Sequence, residues 1–147
     1  MADKKVTDLV SATTPLTGSE VFPVVQGAIS KQVAVKEVAK FGYQDIVTET
    51  TAARTLSNSD VGAWVRFTSG SAITLTVPPN SSVAFIIGTS INGVQAGAGQ
   101  ISVVAGAGVT INKPTGYNAK TRAQGAAFCL IKVATDTWDL IGDLETI

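Results

Sequence analysis

The sequence predicts an all-β fold. It is an antiparallel β-sandwich or jelly-roll-like domain over residues 45–147, preceded by an extended N-terminal arm, residues 1–44, that includes a short helix. Three observations predict it. Residues 67–112, FTSGSAITLTVPPNSSVAFIIGTSINGVQAGAGQISVVAGAGVTIN, hold no Asp, Glu, Lys or Arg, in a chain with eleven acidic and eleven basic residues. Apolar residues in that run alternate: Ile73, Leu75 and Val77 with Thr74 and Thr76 between them, the period of a strand with one buried face. Glycine is frequent (14 of 147 residues) and charge is sparse at 15%, which favours short strands and turns over a helical bundle.

The arm comes first. Val6, Leu9 and Val10 have helix-like spacing, but Ser11-Ala12-Thr13-Thr14-Pro15 ends the run. Leu16-Thr17-Gly18-Ser19-Glu20 is a turn. Val21 to Gln26 is extended, and Pro23 confines it to a sheet edge or an isolated arm. Gly27 and Ala28 turn the chain into the alternating Ile29, Lys31, Val33, Val35, so Val24 to Val35 is a candidate hairpin. Lys36 to Phe41 predicts a helix of one or two turns with Gly42 as its C-terminal stop. The arm's hydrophobics come as pairs between turns, too few for a core of its own. Leu9, Leu16, Phe22, Val24 and Val25 are its candidate docking residues, on the chain's own domain or on another protein.

The domain follows. Ile46 to Thr51 is a candidate strand, Ala52 to Leu56 leads into the turn Ser57-Asn58-Ser59-Asp60, and Trp64 to Phe67 opens the sheets. Ile73 to Val77 is stopped by Pro78-Pro79-Asn80-Ser81. Val83 to Ile87 is expected to restart it as a strand, ended by Gly88. Ile101 to Val104 and Val109 to Ile111 are strands entered through Ala96 to Gly99 and Ala105 to Gly108. Lys113 to Asn118 is a long turn, Lys120-Thr121-Arg122 a small basic spot. Ala126 to Ala134 and Trp138 to Ile141 close the domain across Thr135-Asp136-Thr137. Seven or eight strands result, in an antiparallel meander.

Composition narrows the function. The net charge is zero, His is absent, and Lys4-Lys5 is flanked by Asp3 and Asp8. That is a poor nucleic-acid binder, since phosphate neutralisation supplies most of such affinity. No 18 consecutive residues are apolar, so no membrane helix is expected, and the N-terminus lacks the apolar core of a signal peptide. Asn80-Ser81-Ser82 matches a glycosylation acceptor, a chance match without secretion. Cys129 is the single cysteine and sits in an apolar run, reading as a core residue. With no His and no nucleophile–base pair, catalytic and metal-ligating residues are expected to be none, and no cofactor is expected. Gly97-Ala98-Gly99 and Gly106-Ala107-Gly108 begin like a dinucleotide fingerprint, but Ser102 and Ile111 stand where its third glycine belongs and no helix follows. Asp136, Asp139, Asp143 and Glu145 read as a solvated rim without calcium-loop spacing. Trp64 and Trp138 read as packing residues, with sugar stacking as the alternative.

The uncharged stretch carries a further expectation. Its outward positions are Thr, Ser, Gly and Ala, where antiparallel sheets usually place charge against edge pairing. Self-association would cover such a surface. Ala96, Gly97, Gly99, Ala105, Gly106 and Gly108 are the candidate interface residues, small enough for close approach.

Two stretches resemble bacteriophage virion proteins. Val6-Thr7-Asp8-Leu9 through Leu16-Thr17-Gly18-Ser19-Glu20, then Val24-Val25-Gln26-Gly27 and Lys31-Gln32-Val33, is similar to the anchoring segment of phage tail-fibre, tail-spike and head-decoration proteins. Thr55 to Asp60, Ile73 to Pro78, Gly88 to Ile91, Gln95 to Gln100 and Trp138 to Leu144 resemble the β module of phage fibre, neck and head-surface proteins. The resemblance implies a non-enzymatic virion protein, assembled in the host cytoplasm, whose partners are the major capsid protein or other virion proteins. It implies a homotrimer, the usual symmetry of such proteins. Fibres continue into long shafts, and this chain stops at Ile147, which points to a capsid decoration (cement) protein. A tail-fibre or neck component that binds a host receptor is the alternative. A free carbohydrate-binding module using Trp64, Trp138 or Tyr117 is the alternative from another class.

Overall fold

The structure, a computed structural model, describes the strands Val21–Gln26 and Ile29–Ala34 and residues 44–147. The chain divides into two compact units, residues 1–43 and 44–147.

In the first unit β1 (Val21–Gln26) and β2 (Ile29–Ala34) form an antiparallel hairpin, with Pro23 opposite Gln32. A two-stranded sheet consists of edges only, so each strand has a side on which a missing N–H breaks no ladder bond; that is where proline is tolerated. The expected hairpin is present. Leu9, Leu16 and the expected helix at Lys36 to Phe41 lie outside the described residues.

The second unit is all-β, with two mixed sheets. One has five strands in the order β13-β10-β8-β6-β4, the other six in the order β3-β5-β7-β11-β12-β9. Their ranges are β3 Asp45–Glu49, β4 Ala53–Thr55, β5 Ala63–Phe67, β6 Ile73–Val77, β7 Ser90–Gln95, β8 Ile101–Ala105, β9 Thr110–Asn112, β10 Tyr117–Thr121, β11 Ala127–Ala134, β12 Thr137–Gly142 and β13 Leu144–Thr146. From β3 to β8 the chain passes from one sheet to the other at every step. Each strand lies parallel to the one two places earlier: β3 with β5 with β7, and β4 with β6 with β8. Parallel neighbours need a crossover, and here the crossover is a strand of the opposite sheet. The result is a three-rung coil.

The corners of the coil continue its ladders. Thr68 N–H donates to Glu49 O at 2.8 Å, Ala96 N–H to Phe67 O at 2.8 Å, and Leu56 N–H to Thr76 O at 3.0 Å. Antiparallel strands then close the coil: β10 on β8, β13 on β10, β11 on β7, and β12 on β11. The expected antiparallel meander over residues 67–112 is therefore corrected, because β6 and β8 run parallel with Leu75 beside Val103. Alternation reports which face is buried, and says nothing of strand direction.

One core lies behind both sheets. The smaller sheet contributes Ile73, Leu75, Val77, Ile101, Val103 and Leu144; the larger contributes Val65, Phe67, Ile91, Phe128, Leu130, Trp138 and Leu140. Gly93 of β7 faces inward beneath two rings, where an added Cβ would stand 2.6 Å from the Phe128 ring and 3.2 Å from Phe67. Its missing side chain makes room for the tilted Phe67–Phe128 pair, with ring centroids 6.2 Å apart.

Two further expectations change. Val83 to Ile87 is a loop, in which Phe85 is buried and stacks edge-on to Trp138 at 5.3 Å while Ile86 is 80% exposed. Phe85 anchors the loop to the core by one aromatic contact, and no ladder forms. Strands β4, β7, β10 and β13 join those expected, giving eleven strands from Asp45 onward among the described residues. β10 was legible only as a turn and a basic spot, because Tyr117, Asn118 and Lys120 lack apolar alternation. Its inward hook is Thr121, 1% exposed, whose hydroxyl accepts from Ile101 N–H at 3.0 Å and meets the Gln95 carboxamide at 2.5 Å.

Polar groups close the open end of the coil. Arg54 faces inward on edge strand β4, in register with Leu75. It bridges Glu49 (Nη1 to Oε2, 2.6 Å) and the fully buried Asp60. Asp60 also accepts from Ser57 N–H at 2.9 Å. Hydrogen bonds from the Thr51 hydroxyl and N–H, with Arg54 beyond them, hold the Glu49 carboxyl down at about 2.

Candidate functional site

The register of the larger sheet sets one row of outward residues across five strands. Ile46 of β3 lies beside Trp64 of β5, Trp64 beside Asn92 of β7, Asn92 beside Cys129 of β11, and Cys129 beside Ile141 of β12. Each is the outward neighbour of a residue that faces the core, buried in four strands and half-buried at Val47, so strand alternation that fills the core also builds this row. Ile46 is 63% exposed and Ile141 49%; Trp64, Asn92 and Cys129 are half-buried by their neighbours. Trp64, Asn92, Cys129 and Ile141 line a shallow groove of about 260 Å³. Beside it, Asn112, Lys113, Pro114 and Asp139 line another of about 180 Å³ that shares Ile141. The row carries no charge. Arg66 stands one row away, and Asp139 on the other side accepts a bond from Asn112 Nδ2 at 2.8 Å. Partial burial raises the Cys129 thiol above its ordinary range, so it behaves as an apolar surface group.

The sequence-predicted residues fall elsewhere. A Cβ on Gly99 would stand 1.9 Å from Ser71 O, on Gly97 2.4 Å from both Thr68 O and Ser69 O, and on Gly106 2.8 Å from Val77 O. These glycines let one rung of the coil sit on the next, and Gly97 N–H and Gly99 N–H donate to Phe67 O and Ser69 O. Their close approach is to their own chain. Gly108 has a φ of +76° with open space around it and serves a turn; Ala96 is half-buried and Ala105 exposed. Phe22, Val24 and Val25 lie on β1.

Trp138 is 1% exposed and belongs to the core, so of the two tryptophans only Trp64 is at the surface. Tyr117, 37% exposed, borders a cleft of about 420 Å³ with Arg122 and Asp143. The four acidic residues near the C-terminus have separate protein partners. Asp136 accepts from Asn80 N–H, Asp139 from Asn112, Asp143 pairs two-pronged with Arg122, and Glu145 accepts from Gln100 and Asn118. Among the described residues no group of three or more potential ligands is placed to hold a metal ion, and no helix is long and apolar enough to cross a membrane.

Two features were not read from the sequence. The outward row needs the register across five strands, which no local pattern reveals. Lys132 is 2% exposed, buried where alternation within β11 calls for an apolar residue. That break in the pattern, a charge at an inward position of an apolar strand, was the available signal. No protein-family model matches the chain, and no curated protein matches it by sequence.

Proposed function

We propose that the chain is a structural protein of a bacteriophage virion, a capsid decoration (cement) protein that attaches to the head surface and stabilises it. The observation that carries this reading is the uncharged row from Ile46 to Ile141, a surface suited to contact with protein rather than with nucleic acid. In this reading the domain is a sandwich-like surface module, residues 1–44 carry attachment through Leu9, Leu16, Phe22, Val24 and Val25, and the partner is the major capsid protein or another virion protein. The resemblance of the two stretches to phage anchors and β modules supports it. The protein works as a homotrimer, and the row is the face that its copies share. A stable assembly of this kind buries more than ~1,200 Å² in total.

A cryo-EM map of the parent particle tests the reading. Density for the domain on the head lattice is expected; density at the tail or neck alone would replace it with the fibre-type alternative. Deleting residues 1–43 is expected to leave a folded domain, because residues 44–147 form a compact unit with a hydrophobic core, yet one that no longer sediments with particles. Normal occupancy by the truncated protein would overturn the anchoring role. The carbohydrate-binding alternative rests on Trp64 beside Asn92, and binding on a glycan array would favour it.

A further inference from the structure

Lys132 lies on β11 opposite Trp138, with its ammonium inside the protein. Its Nζ donates to Asn80 Oδ1 at 2.5 Å and to the Phe85 carbonyl at 2.8 Å. Among the described residues no carboxylate forms an ion pair with it within 4.0 Å. A buried charge without a counter-ion is costly, and chains usually avoid it. Asp136 joins the same cluster through Asn80: its Oδ1 accepts from the backbone N–H of Asn80 at 2.5 Å. Phe85, whose carbonyl accepts from the ammonium, stacks edge-on to Trp138, the register partner of Lys132 on β12. A buried amine thus meets a half-buried carboxamide, whose residue is held at its backbone by a half-buried carboxylate; the three come from β11, from the loop after β6 and from the turn before β12.

We propose that Lys132 and Asn80 form an intramolecular isopeptide bond. One ammonium proton passes by way of one water to the Asp136 carboxylate, which lies beyond direct ion-pair reach, and the freed lone pair of Nζ attacks Asn80 Cγ. The approach requires the Asn80 carboxamide to turn about its Cβ–Cγ bond, a soft torsion, so that Nζ meets its face rather than the oxygen lone pair. A bond forms between Nζ and Cγ, and the bond from Cγ to Nδ2 breaks. Of the three ammonium protons one stays on the new amide and two leave with Nδ2, which departs as ammonium. Nothing is oxidised or reduced, and no co-reactant is consumed. The product replaces a buried cation with a neutral amide, which drives the exchange forward. Asn80 follows β6 of the smaller sheet and Lys132 belongs to the larger, so the bond ties the two sheets covalently. Such a cross-link restricts the unfolded chain as a disulfide does, without dependence on redox conditions.

The test is mass spectrometry of the full chain, intact and after trypsin. The intact mass is expected to fall about 17 Da, one ammonia, below that of the sequence. The digest is expected to contain a branched peptide in which the Asn80 segment is joined to an uncleaved Lys132. Lys132→Met and Asn80→Ala should each restore the full mass and abolish the branched peptide. Asp136→Asn, which keeps an acceptor for Asn80 and tolerates the positive φ of 53° at this turn, should slow bond formation at least tenfold. A wild-type digest with only linear peptides overturns the proposal, whether or not any variant folds. A mass deficit that persists in Lys132→Met also overturns it, since it would mark cyclisation of an asparagine. Ligation at the wild-type rate in Asp136→Asn overturns the assigned proton route.

Discussion

Replacing Gly99 by alanine separates two uses of the small residues in this chain. The added Cβ would stand 1.9 Å from the Ser71 carbonyl oxygen and 2.5 Å from its carbon. Both are backbone atoms, so no side chain can rotate away. Relief requires the turn between β5 and β6 to lift from the turn between β7 and β8. That movement strains Gly99 N–H to Ser69 O (3.0 Å) and Ile73 N–H to Gln100 O (2.8 Å), which tie the same two turns together. Overpacking of this kind costs about 1–3 kcal/mol, and a rigid backbone obstacle places Gly99→Ala near the upper end. For a domain of this size roughly 3 kcal/mol lowers Tm by on the order of 10–20 °C. Gly70→Ala is the control, with nothing within 4 Å and an ordinary φ, so a change within about 0.5 kcal/mol is expected there. Thermal unfolding by circular dichroism reads the stability, and light scattering on the same samples reads the mass. A Gly99→Ala protein that melts with the wild type but dissociates would refute rung-on-rung packing and return Gly97 and Gly99 to an interface between copies.

Three other outcomes follow from the same geometry. Wild-type mass in solution should lie near three times the 15.1 kDa chain, and the double variant Ile46→Lys, Ile141→Lys should reduce it to one chain without lowering Tm; an unchanged mass would remove the outward row from the interface. The Glu49 carboxyl is held below its unfolded value near 4.5, so its contribution is fully present above that pH and is lost as pH falls toward about 2. Glu49→Gln should therefore flatten the acid limb of stability between those values, and an acid limb as steep as wild type in urea titrations would show that other carboxylates govern it. Chelator treatment should leave Tm unchanged, because Asp136, Asp139, Asp143 and Glu145 each have a protein partner; a drop of several degrees would identify a cation site among them.

The sequence by itself determined the class of the domain and most of its strands. Ile73, Leu75 and Val77 alternate with threonines, and all three are buried while Thr74 is exposed, because period-2 polarity is a local property of an extended chain. Turn residues likewise marked the ends of β6 and β11. Strand direction was decided only by tertiary structure. The outer faces of β6 and β8 are wet, a pattern usual in antiparallel sheets, and only the passage of the chain through the opposite sheet makes them parallel. The glycines at 97, 99 and 106 were legible as places of close approach, but the approaching surface is the preceding rung, known only once the coil is wound. Lys132 and Asn80 are 52 residues apart, and the row from Ile46 to Ile141 crosses five strands. Contacts at such separations depend on register between strands distant in sequence. Local composition carries no record of that register, and the packing of one shared core imposes it.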